Sequence, residues 1–265
     1  MNTDFKTHLI APGDSYTASL LIEQIHQLRY KVFVEEGGKK LSDEEHYNKM
    51  EFNEFDKHAH YIAVTHKDRV VGTYRLMTRK DAKGAGGFYT ETEFNISNLK
   101  RINGDILELS RTCIAAEYRK SSAFSALWKA VMEYILDNNI YMLIGMPSFP
   151  NSNPTASCNA ISHIHENYLG STRKRPEVRR DVPKYNSDIL PSHMIDTKLA
   201  KHELPPIYKL YLSLGGKAGA GIALDLECNT LDVCMFLETY KMSKDYQKHY
   251  LGNSKAFSKF VPVYS

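Results

Sequence analysis

The stretch Val70-Val71-Gly72-Thr73-Tyr74-Arg75-Leu76-Met77 carries one charged residue inside an otherwise β-prone and mainly apolar run. Such a run predicts a buried β-strand, and burying the Arg75 guanidinium is costly unless a carboxylate pairs with it. We therefore expect a carboxylate partner on a neighbouring strand. The next predicted strand, 106–114, supplies Glu108 and a second cation, Arg111. Three charges on two central strands favour a polar site in the core, although a structural ion pair would leave the same pattern.

The spacing of Glu108 and Arg111 makes a sharper prediction. Residues three apart on a regular strand point to opposite faces of the sheet. The two side chains can share one site only if the strand carries a β-bulge between them. We therefore expect a bulge in the strand at 106–114.

The other periodicities predict a mixed α/β protein. Two β-rich runs at 61–65 and 70–77 flank a four-residue polar turn, which indicates a hairpin. Apolar residues at helical spacing predict helices over 17–34, 123–136, 157–169 and 206–214. Further strands are predicted at 5–10, 106–114, 141–145, 221–227 and 231–238. Loops are predicted at 82–87 and 147–157, and an ordered loop or short helix at 35–56.

The composition is that of a globular protein: 265 residues, 42% apolar and 25% charged. It excludes disordered and fibrous chains, and a net charge of +3 disfavours a dedicated nucleic-acid binder. The charge is unevenly distributed. Residues 35–56 hold eight acids against three lysines (−5), and residues 173–184 hold six bases against two acids (+4).

The cysteines and the apolar segments bear on location. Four cysteines show no metal-type spacing, and no basic-then-apolar leader precedes Phe5. The longest nearly apolar stretch, 130–144, is interrupted by acidic and amide residues and is unsuited to spanning a membrane. We expect reduced thiols and a cytoplasmic protein, at most peripheral to the inner face of the membrane.

Several short segments carry a resemblance to a known family. Four of them are Leu28-Arg29-Tyr30-Lys31-Val32-Phe33-Val34-Glu35-Glu36, Glu54-Phe55-Asp56, Val71-Gly72-Thr73-Tyr74-Arg75-Leu76 and Glu108-Leu109-Ser110-Arg111. Their order resembles GNAT-fold acyltransferases that take acyl chains from acyl carrier protein, among them acyl-homoserine-lactone synthases and N-acyl amino acid synthases. Three later segments are Pro147-Ser148-Phe149-Pro150, Leu204-Pro205-Pro206-Ile207-Tyr208-Lys209 and Leu214-Gly215-Gly216-Lys217. These look like the ornithine N-acyltransferase (haemolysin-like) branch.

The resemblance implies a fold and a set of site residues. The fold is a GNAT-like mixed, mostly antiparallel sheet flanked by helices, in one domain over 1–265 with an elaboration at about 150–203. The residues that match the acceptor pocket and catalytic centre are Arg29, Phe33, Asp56, Arg75, Glu108 and Arg111, to which we add Ser148 as a substrate contact. Asn53 stands where homoserine-lactone synthases carry a carboxylate, which weakens the lactone-synthase interpretation.

The chemistry of acyl transfer to an amine agrees with these residues. An α-amine must lose a proton before it attacks a thioester, and Glu108, directly or through a water, is the best candidate base. Arg75 and Arg111 suit the acceptor's carboxylate or the orientation of Glu108. Backbone N–H groups at Cys113, Ile114 and Ala115 are candidate donors to the oxyanion. A covalent route through Cys113 is disfavoured because no motif places a histidine beside it.

The start of helix 123–136 bears on the acyl donor. GNAT enzymes that use acetyl-CoA carry Gln/Arg-x-x-Gly-x-Gly/Ala there, so that N–H groups can approach the pyrophosphate. Here Ser122 replaces the first glycine and Phe124 stands at the last position, while Arg119 and Lys120 remain available to a single phosphate. This favours the phosphopantetheine thioester of acyl carrier protein over acetyl-CoA or acyl-CoA, with no permanently bound cofactor.

The basic stretch 173–184 also fits an acidic carrier protein. A solvated loop and contact with an anionic membrane surface would account for the same residues. A nucleic-acid partner is disfavoured because Tyr185 is the only flanking aromatic residue.

The expected function is an N-acyltransferase that moves a long-chain fatty acyl group, 3-hydroxylated or not, from acyl carrier protein to the α-amine of an amino acid. Ornithine is the first expectation, and the product is a lyso-aminolipid. A CoA-dependent N-acetyltransferase and a non-catalytic lipid- or carrier-binding module are the alternatives. His163, His165 and Glu166 resemble a metal cluster, but the two histidines, two apart on a helix, face different ways, and no metal site is expected.

Overall fold

A computed structural model describes residues 4–14, 16–150, 154–185 and 189–251, which cluster into two units. Of these residues the first unit contains 4–89, 107–140 and 247–251, and the second contains 90–106 and 141–246. The single domain over 1–265 and the elaboration at about 150–203 therefore stay predictions, and residues 151–153 and 186–188 of that elaboration lie outside the described part.

The described residues form strands, α-helices and shorter helical turns. The strands are β1 (Lys6–Ile10), β2 (His60–His66), β3 (Arg69–Thr78), β4 (Phe94–Asn95), β5 (Asp105–Ile114), β6 (Ile140–Gly145), β7 (Ser148–Pro150), β8 (Glu177–Val178), β9 (Lys184–Tyr185), β10 (Lys217–Ala218), β11 (Ile222–Asp225), β12 (Thr230–Asp232) and β13 (Met235–Glu238). The α-helices are α1 (Tyr16–Arg29), α2 (Asp43–Asn48), α3 (Arg79–Gly84), α4 (Ser97–Lys100), α5 (Ala123–Asp137), α6 (Cys158–Tyr168), α7 (Thr197–Glu203), α8 (Pro206–Ser213) and α9 (Lys244–Leu251).

The first unit is built on an antiparallel sheet in the order β1–β2–β3–β5. The hairpin predicted from the two β-rich runs is confirmed as β2 and β3. Its turn places Lys67 and Asp68 at φ values of 49° and 61°. Two successive left-handed residues match the right-handed twist of the flanking strands, as tight hairpin turns require.

Helices α1 and α5 pack against this sheet. Ile25 and Leu28 of α1 lie in one core cluster with Tyr61 and Val70 of the hairpin. The predicted helix over 17–34 is one α-helix only as far as Arg29, after which residues Tyr30–Glu36 form a π-helix. Such wider turns are rare and concentrate at functional sites.

The second unit contains β7–β12–β11–β9 as one antiparallel sheet and β6–β13–β10 as another antiparallel run. Phe149 stacks on Tyr208 of α8 with ring centroids 4.4 Å apart, and both side chains are fully buried. The Tyr208 hydroxyl donates to the carbonyl of Pro147. The proline-rich segments quoted above therefore serve as core of this unit.

Three secondary-structure predictions are wrong. Much of the loop at 82–87 belongs to α3, because Thr78 and Asp81 form a capping box that starts a helix. The predicted strand 231–238 is two strands, β12 and β13, and between them the Val233 N–H donates to the Tyr208 hydroxyl at 3.3 Å. The loop at 147–157 contains β7, and its residues 151–153 lie outside the described part.

Gly72 offers a test of the packing between β3 and β5. A Cβ at this position would lie 2.5 Å from Cδ1 of Ile114, across the strand pair. We expect Gly72→Ala to lower the free energy of unfolding by about 1–3 kcal/mol, the usual effect of overpacking a core. Because Ile114→Val removes that Cδ1 atom, the double variant should regain most of the loss in urea denaturation. Equal stabilities for Gly72→Ala with and without Ile114→Val would contradict this account.

Candidate active site

The expected bulge in β5 is confirmed. Thr73 and Arg75 of β3 are two residues apart, whereas their partners Cys113 and Ser110 of β5 are three apart, so β5 carries one extra residue. Arg111 occupies this bulge with φ of 52°. A non-glycine residue in the left-handed region marks a conformation that the surrounding structure holds in place.

The bulge brings Glu108 and Arg111 to a common neighbour, Tyr89. The Tyr89 backbone N–H donates to Oε2 of Glu108 at 3.0 Å, and Nη2 of Arg111 donates to the Tyr89 hydroxyl at 3.1 Å. Glu108 is fully buried. Two side chains that a regular strand would separate therefore share one site, as the spacing argument predicts.

Arg75 finds a carboxylate in an unexpected place. Its Nη1 lies 3.2 Å from Oδ1 of Asp56 and donates to Oδ1 of Asn53 at 2.8 Å, while its Nε donates to Oγ of Ser110 at 3.0 Å. The expected carboxylate on the neighbouring strand also acts on Arg75, since the charge of Glu108 in β5 attracts its guanidinium. Asp56, the additional partner, comes from the 3-10 turn Glu54–Lys57, which Asn53 caps. Asn53, which lacks the charge of a carboxylate, still accepts a hydrogen bond from Arg75.

Arg29, the last residue of α1, is fully buried beside the same aspartate. Its Nη1 and Nη2 donate to the two oxygens of Asp56 at 2.7 and 3.2 Å, and its Nε donates to Glu51 at 2.6 Å. Phe33, one turn on, has its ring centroid 5.9 Å from the Arg111 guanidinium. The structure thus brings together Arg29, Phe33, Asp56, Arg75, Glu108 and Arg111, the six matched residues.

Sequence reasoning missed Glu51, which has the most cationic neighbours of the site. Its fully buried carboxylate contacts Arg29, Lys39 and, at 3.3 Å, Nε of Arg111. From the sequence, Glu51 is only one of eight acids in the stretch 35–56. Nothing in that stretch distinguishes the buried side chains of Glu51 and Asp56 from the exposed acids around them, because burial depends on how the segment folds back.

Tyr61 and His26 were also missed. The Tyr61 hydroxyl donates to Oδ1 of Asp56 at 2.6 Å. His26 stacks on Phe52 at 5.5 Å, and burial, with the nearby Arg29 charge, lowers the pKa of its imidazole to about 4. His26 is therefore neutral near pH 7 and adds no further positive charge.

Ion pairing dominates the titration of the buried acids. Burial alone would raise the pKa of Glu51, but Arg29, Arg111 and Lys39 more than offset it and hold that pKa well below its ordinary value. The same balance, through Arg29 and Arg75, lowers the pKa of Asp56. Burial lowers the pKa of Arg75, which the nearby Asp56 only partly offsets. Glu51 and Asp56 therefore stay ionised and paired with their cations. Of the three buried carboxylates, Glu108 is left as the candidate base.

The cluster has more cations than carboxylates. The cations are Arg29, Lys39, Arg75 and Arg111, and the carboxylates are Glu51, Asp56 and Glu108, a formal balance of +1. Nη2 of Arg75 is buried without a hydrogen-bond partner among the described residues. Such a cluster suits a small anion, since an added carboxylate would complete both its charge and its hydrogen bonds.

Comparison with known proteins assigns the family. An acetyltransferase (GNAT) domain matches residues 28–129. The L-ornithine N(alpha)-acyltransferase of Rhodobacter capsulatus is 32% identical over 86% of this chain and 90% of its own length. The Agrobacterium fabrum protein of the same name is 30% identical over 88% of this chain and 83% of its own length. The chain belongs to this family of GNAT-fold acyltransferases.

Solved structures support the fold of this acyltransferase. The AHL synthase LasI superposes with a TM-score of 0.53 at 16% identity, over 95% of this chain and 96% of LasI. The CoA-dependent acyl-homoserine lactone synthase BjaI superposes with a TM-score of 0.53 at 15% identity, over 93% of this chain and 87% of BjaI. The GNAT-like α/β fold implied by the sequence is confirmed.

The expected oxyanion donors lie just after the bulge, and one of them is already engaged. The N–H of Ala115 donates to the Val71 carbonyl at 2.9 Å, so the expectation that it serves an oxyanion is wrong for this structure. Cys113 and Ile114 stay predictions. Burial raises the pKa of the Cys113 thiol to about 12, which disfavours a thiolate nucleophile.

The residues expected to meet the donor's phosphate lie at the start of α5. Ser122 is the exposed N-cap residue, and Lys120 is exposed beside it. Arg119 is half-exposed, forms an ion pair with Glu36, and donates through Nε to the Ile114 carbonyl at 3.2 Å. A phosphate at Arg119 would therefore compete with Glu36.

The basic stretch 173–184 divides into two sets of three. Three bases have acidic partners: Lys174 with Glu238, Arg175 with Glu177, and Arg179 with Asp181, at 2.6, 3.9 and 2.6 Å. The other three, Arg173, Arg180 and Lys184, are exposed. The number of basic side chains readily available to a partner is thus smaller than the six bases counted in the sequence.

Ser148 and the histidine pair lie in the second unit. Ser148 begins β7 opposite Asp232 of β12, and its contact with substrate stays a prediction. Nδ1 of His163 hydrogen-bonds the amide of Asn167 at 3.1 Å, and burial lowers the pKa of both His163 and His165.

None of the described helices is long and apolar enough to cross a membrane.

Glu51→Gln tests the energetics of this site. Removing the charge leaves Arg29, Lys39 and Arg111 buried with one fewer anion, and we expect a loss of about 3–5 kcal/mol in the free energy of unfolding. Glu117→Gln is the matched control, because Glu117 pairs with Arg69 at the surface and such pairs are worth at most about 1 kcal/mol. Similar losses in the two variants, measured by chemical denaturation, would refute the central role given to Glu51.

Proposed function

We propose that this acyltransferase moves a long-chain fatty acyl group, 3-hydroxylated or not, from acyl carrier protein to the α-amine of ornithine, giving a lyso-aminolipid. The convergence of Glu108, Arg75 and Arg111 on one buried site carries the proposal. The names of the relatives from Rhodobacter capsulatus and Agrobacterium fabrum support ornithine as acceptor.

The acceptor's carboxylate is proposed to lie against Arg75 and Arg111. The buried Nη2 of Arg75 has no hydrogen-bond partner among the described residues and is a ready donor to an anion. The surplus of one positive charge in the cluster favours the same occupant. Ornithine also carries a side-chain ammonium, and the exposed Asp43 and Glu44 of α2 create a negative potential that attracts it.

Glu108 is proposed to take a proton from the α-ammonium, directly or through a water, because Glu51 and Asp56 are held as anions by their cations. The free amine attacks the thioester carbonyl, and the C–N bond forms. The tetrahedral oxyanion is stabilised by N–H groups near Cys113 and Ile114. Its collapse breaks the C–S bond, and the departing phosphopantetheine thiolate takes up the proton that the nitrogen loses as the amide forms, while Glu108 returns its proton to water. Direct transfer needs no acyl-enzyme on Cys113.

The donor is proposed to be acyl carrier protein, and the exposed Arg173, Arg180 and Lys184 are proposed to meet its acidic surface. Ser122 and Phe124 replace the glycines that would let a CoA pyrophosphate approach the start of α5. We place the protein in the cytoplasm, peripheral to the inner face of the membrane that receives its lipid product.

The reaction is tested with purified protein, acyl-loaded carrier, long-chain acyl-CoA or acetyl-CoA, and a panel of amino acids, with products read by mass spectrometry. We expect N-acylornithine from the carrier thioester, and at least a ~100-fold lower kcat in Glu108→Gln, since general-base catalysis contributes that much or more. Turnover with acetyl-CoA alone would support the CoA-dependent alternative. If the wild-type protein binds the carrier but turns over none of the donors, the result would support a non-catalytic binding module.

The carrier surface is tested by charge reversal. Changing Arg173, Arg180 and Lys184 together to Glu should raise the KM for acyl carrier protein by roughly tenfold or more, with a small effect on the KM for ornithine. Lys198, Lys201 and Lys209 are also exposed in the second unit and provide a matched triple reversal outside the stretch. Equal effects of the two triple variants, or equal effects on both substrates, would reject this surface.

A further inference from the structure

Tyr89 contacts each of the three charged residues assigned to the reaction. Its backbone N–H donates to Glu108, and its hydroxyl accepts from Nη2 of Arg111. The guanidinium carbons of Arg75 and Arg111 lie 5.1 and 4.6 Å from its ring centroid. Phe55 packs against the ring edge-to-face at 5.4 Å, which fixes the plane of the ring.

The two arginines repel each other and need a neighbour that attracts both. The positive charge of Arg111 lowers the pKa of Arg75, in addition to the larger effect of burial. An aromatic face carries negative electrostatic potential and attracts cations within about 6 Å, most strongly where water is excluded. The ring of Tyr89 lies within that distance of both guanidinium groups and so offsets part of their repulsion.

We infer that Tyr89 is the positioning residue of the acceptor site: its ring and hydroxyl align Arg75 and Arg111 for the acceptor's carboxylate, and its N–H fixes Glu108. This inference rests on the proposed function for the identity of the acceptor. It adds a residue outside the six matched positions, in the 3-10 turn Tyr89–Thr92 between β3 and β5.

The three contacts can be separated by substitution. Tyr89→Phe removes the hydroxyl that Arg111 uses and keeps the ring. Tyr89→Leu removes the ring as well. Both variants keep the backbone N–H to Glu108. If Tyr89 acts by positioning the arginines, both variants should recognise the acceptor's carboxylate less well. The pH profile of kcat, which reports the base, should be unchanged.

The experiment compares ornithine with ornithine methyl ester, which lacks the carboxylate charge. The KM for ornithine should rise about tenfold in Tyr89→Phe, the usual effect of losing a hydrogen bond to a charged group. kcat/KM for ornithine should fall about a hundredfold in Tyr89→Leu, where both cation–π contacts are also lost. The preference for ornithine over its ester should shrink in the same order, while activity on the ester changes little.

Tyr134→Phe and Tyr134→Leu are the matched controls. Tyr134 is a buried tyrosine of α5 in the same unit, and its ring packs against the imidazole of His60 with centroids 5.9 Å apart. Its variants should lower the melting temperature and leave the ratio of acid to ester turnover unchanged. A fall in that ratio for Tyr134→Leu equal to that for Tyr89→Leu would reduce Tyr89 to a structural role and overturn the inference.

A readout without turnover keeps this test independent of the proposed function. Nitrogen-15 NMR of the arginine side chains reports hindered rotation of a clamped guanidinium. We expect the Arg111 signals to sharpen or shift in Tyr89→Phe, and those of both arginines in Tyr89→Leu. Unchanged signals would overturn the inference. If wild-type protein does not distinguish ornithine from its ester, the proposed carboxylate site fails, while the NMR result still decides on Tyr89. Should Tyr89→Leu not fold, Tyr89→Phe carries both measurements.

Discussion

The carboxylate of Glu51, removed from water and shared among Arg29, Lys39 and Arg111, is the interaction on which the rest of the site depends. A buried anion is tolerated only when its neighbours supply comparable charge and hydrogen bonds. Here those neighbours come from the end of α1, from the residues after the π-helix and from the bulge of β5. One acid therefore connects three separate parts of the first unit.

Asp56, in the 3-10 turn Glu54–Lys57, forms a similar arrangement. It holds Arg29 and Arg75 and accepts the Tyr61 hydroxyl, so that Arg29 bridges the two acids. Because each carboxylate is already saturated by cations, neither is free for proton transfer near neutral pH. The three acids differ in their neighbours: Glu51 and Asp56 fix the arginines, and Glu108 is the acid that we propose as the base.

Sequence reasoning reached much of the fold and part of the site. The hairpin and the buried helix α5 follow from local periodicity, and the bulge follows from the three-residue spacing of two charges that had to share a face. Glu51 and Tyr89 were beyond its reach because each becomes important through contacts with residues distant in sequence. The contact of Arg75 with Asp56 was missed for the same reason: a strand pattern gives no indication that the 3-10 turn Glu54–Lys57 lies beside it. The break between β12 and β13 likewise depends on Tyr208, more than twenty residues away.

The ion pair between Lys39 and Glu51 has a consequence for how this family can diversify. It joins the two ends of the segment 40–50, which contains α2 and whose described side chains are mostly exposed. A surface segment whose ends are fixed to each other can change length and sequence at little cost, because loop-closure entropy grows slowly with length. The segment 40–50 can thus be replaced while the buried Lys39–Glu51 pair at its ends is kept. Its length and sequence can therefore change without rebuilding the buried ion pairs that fix its ends.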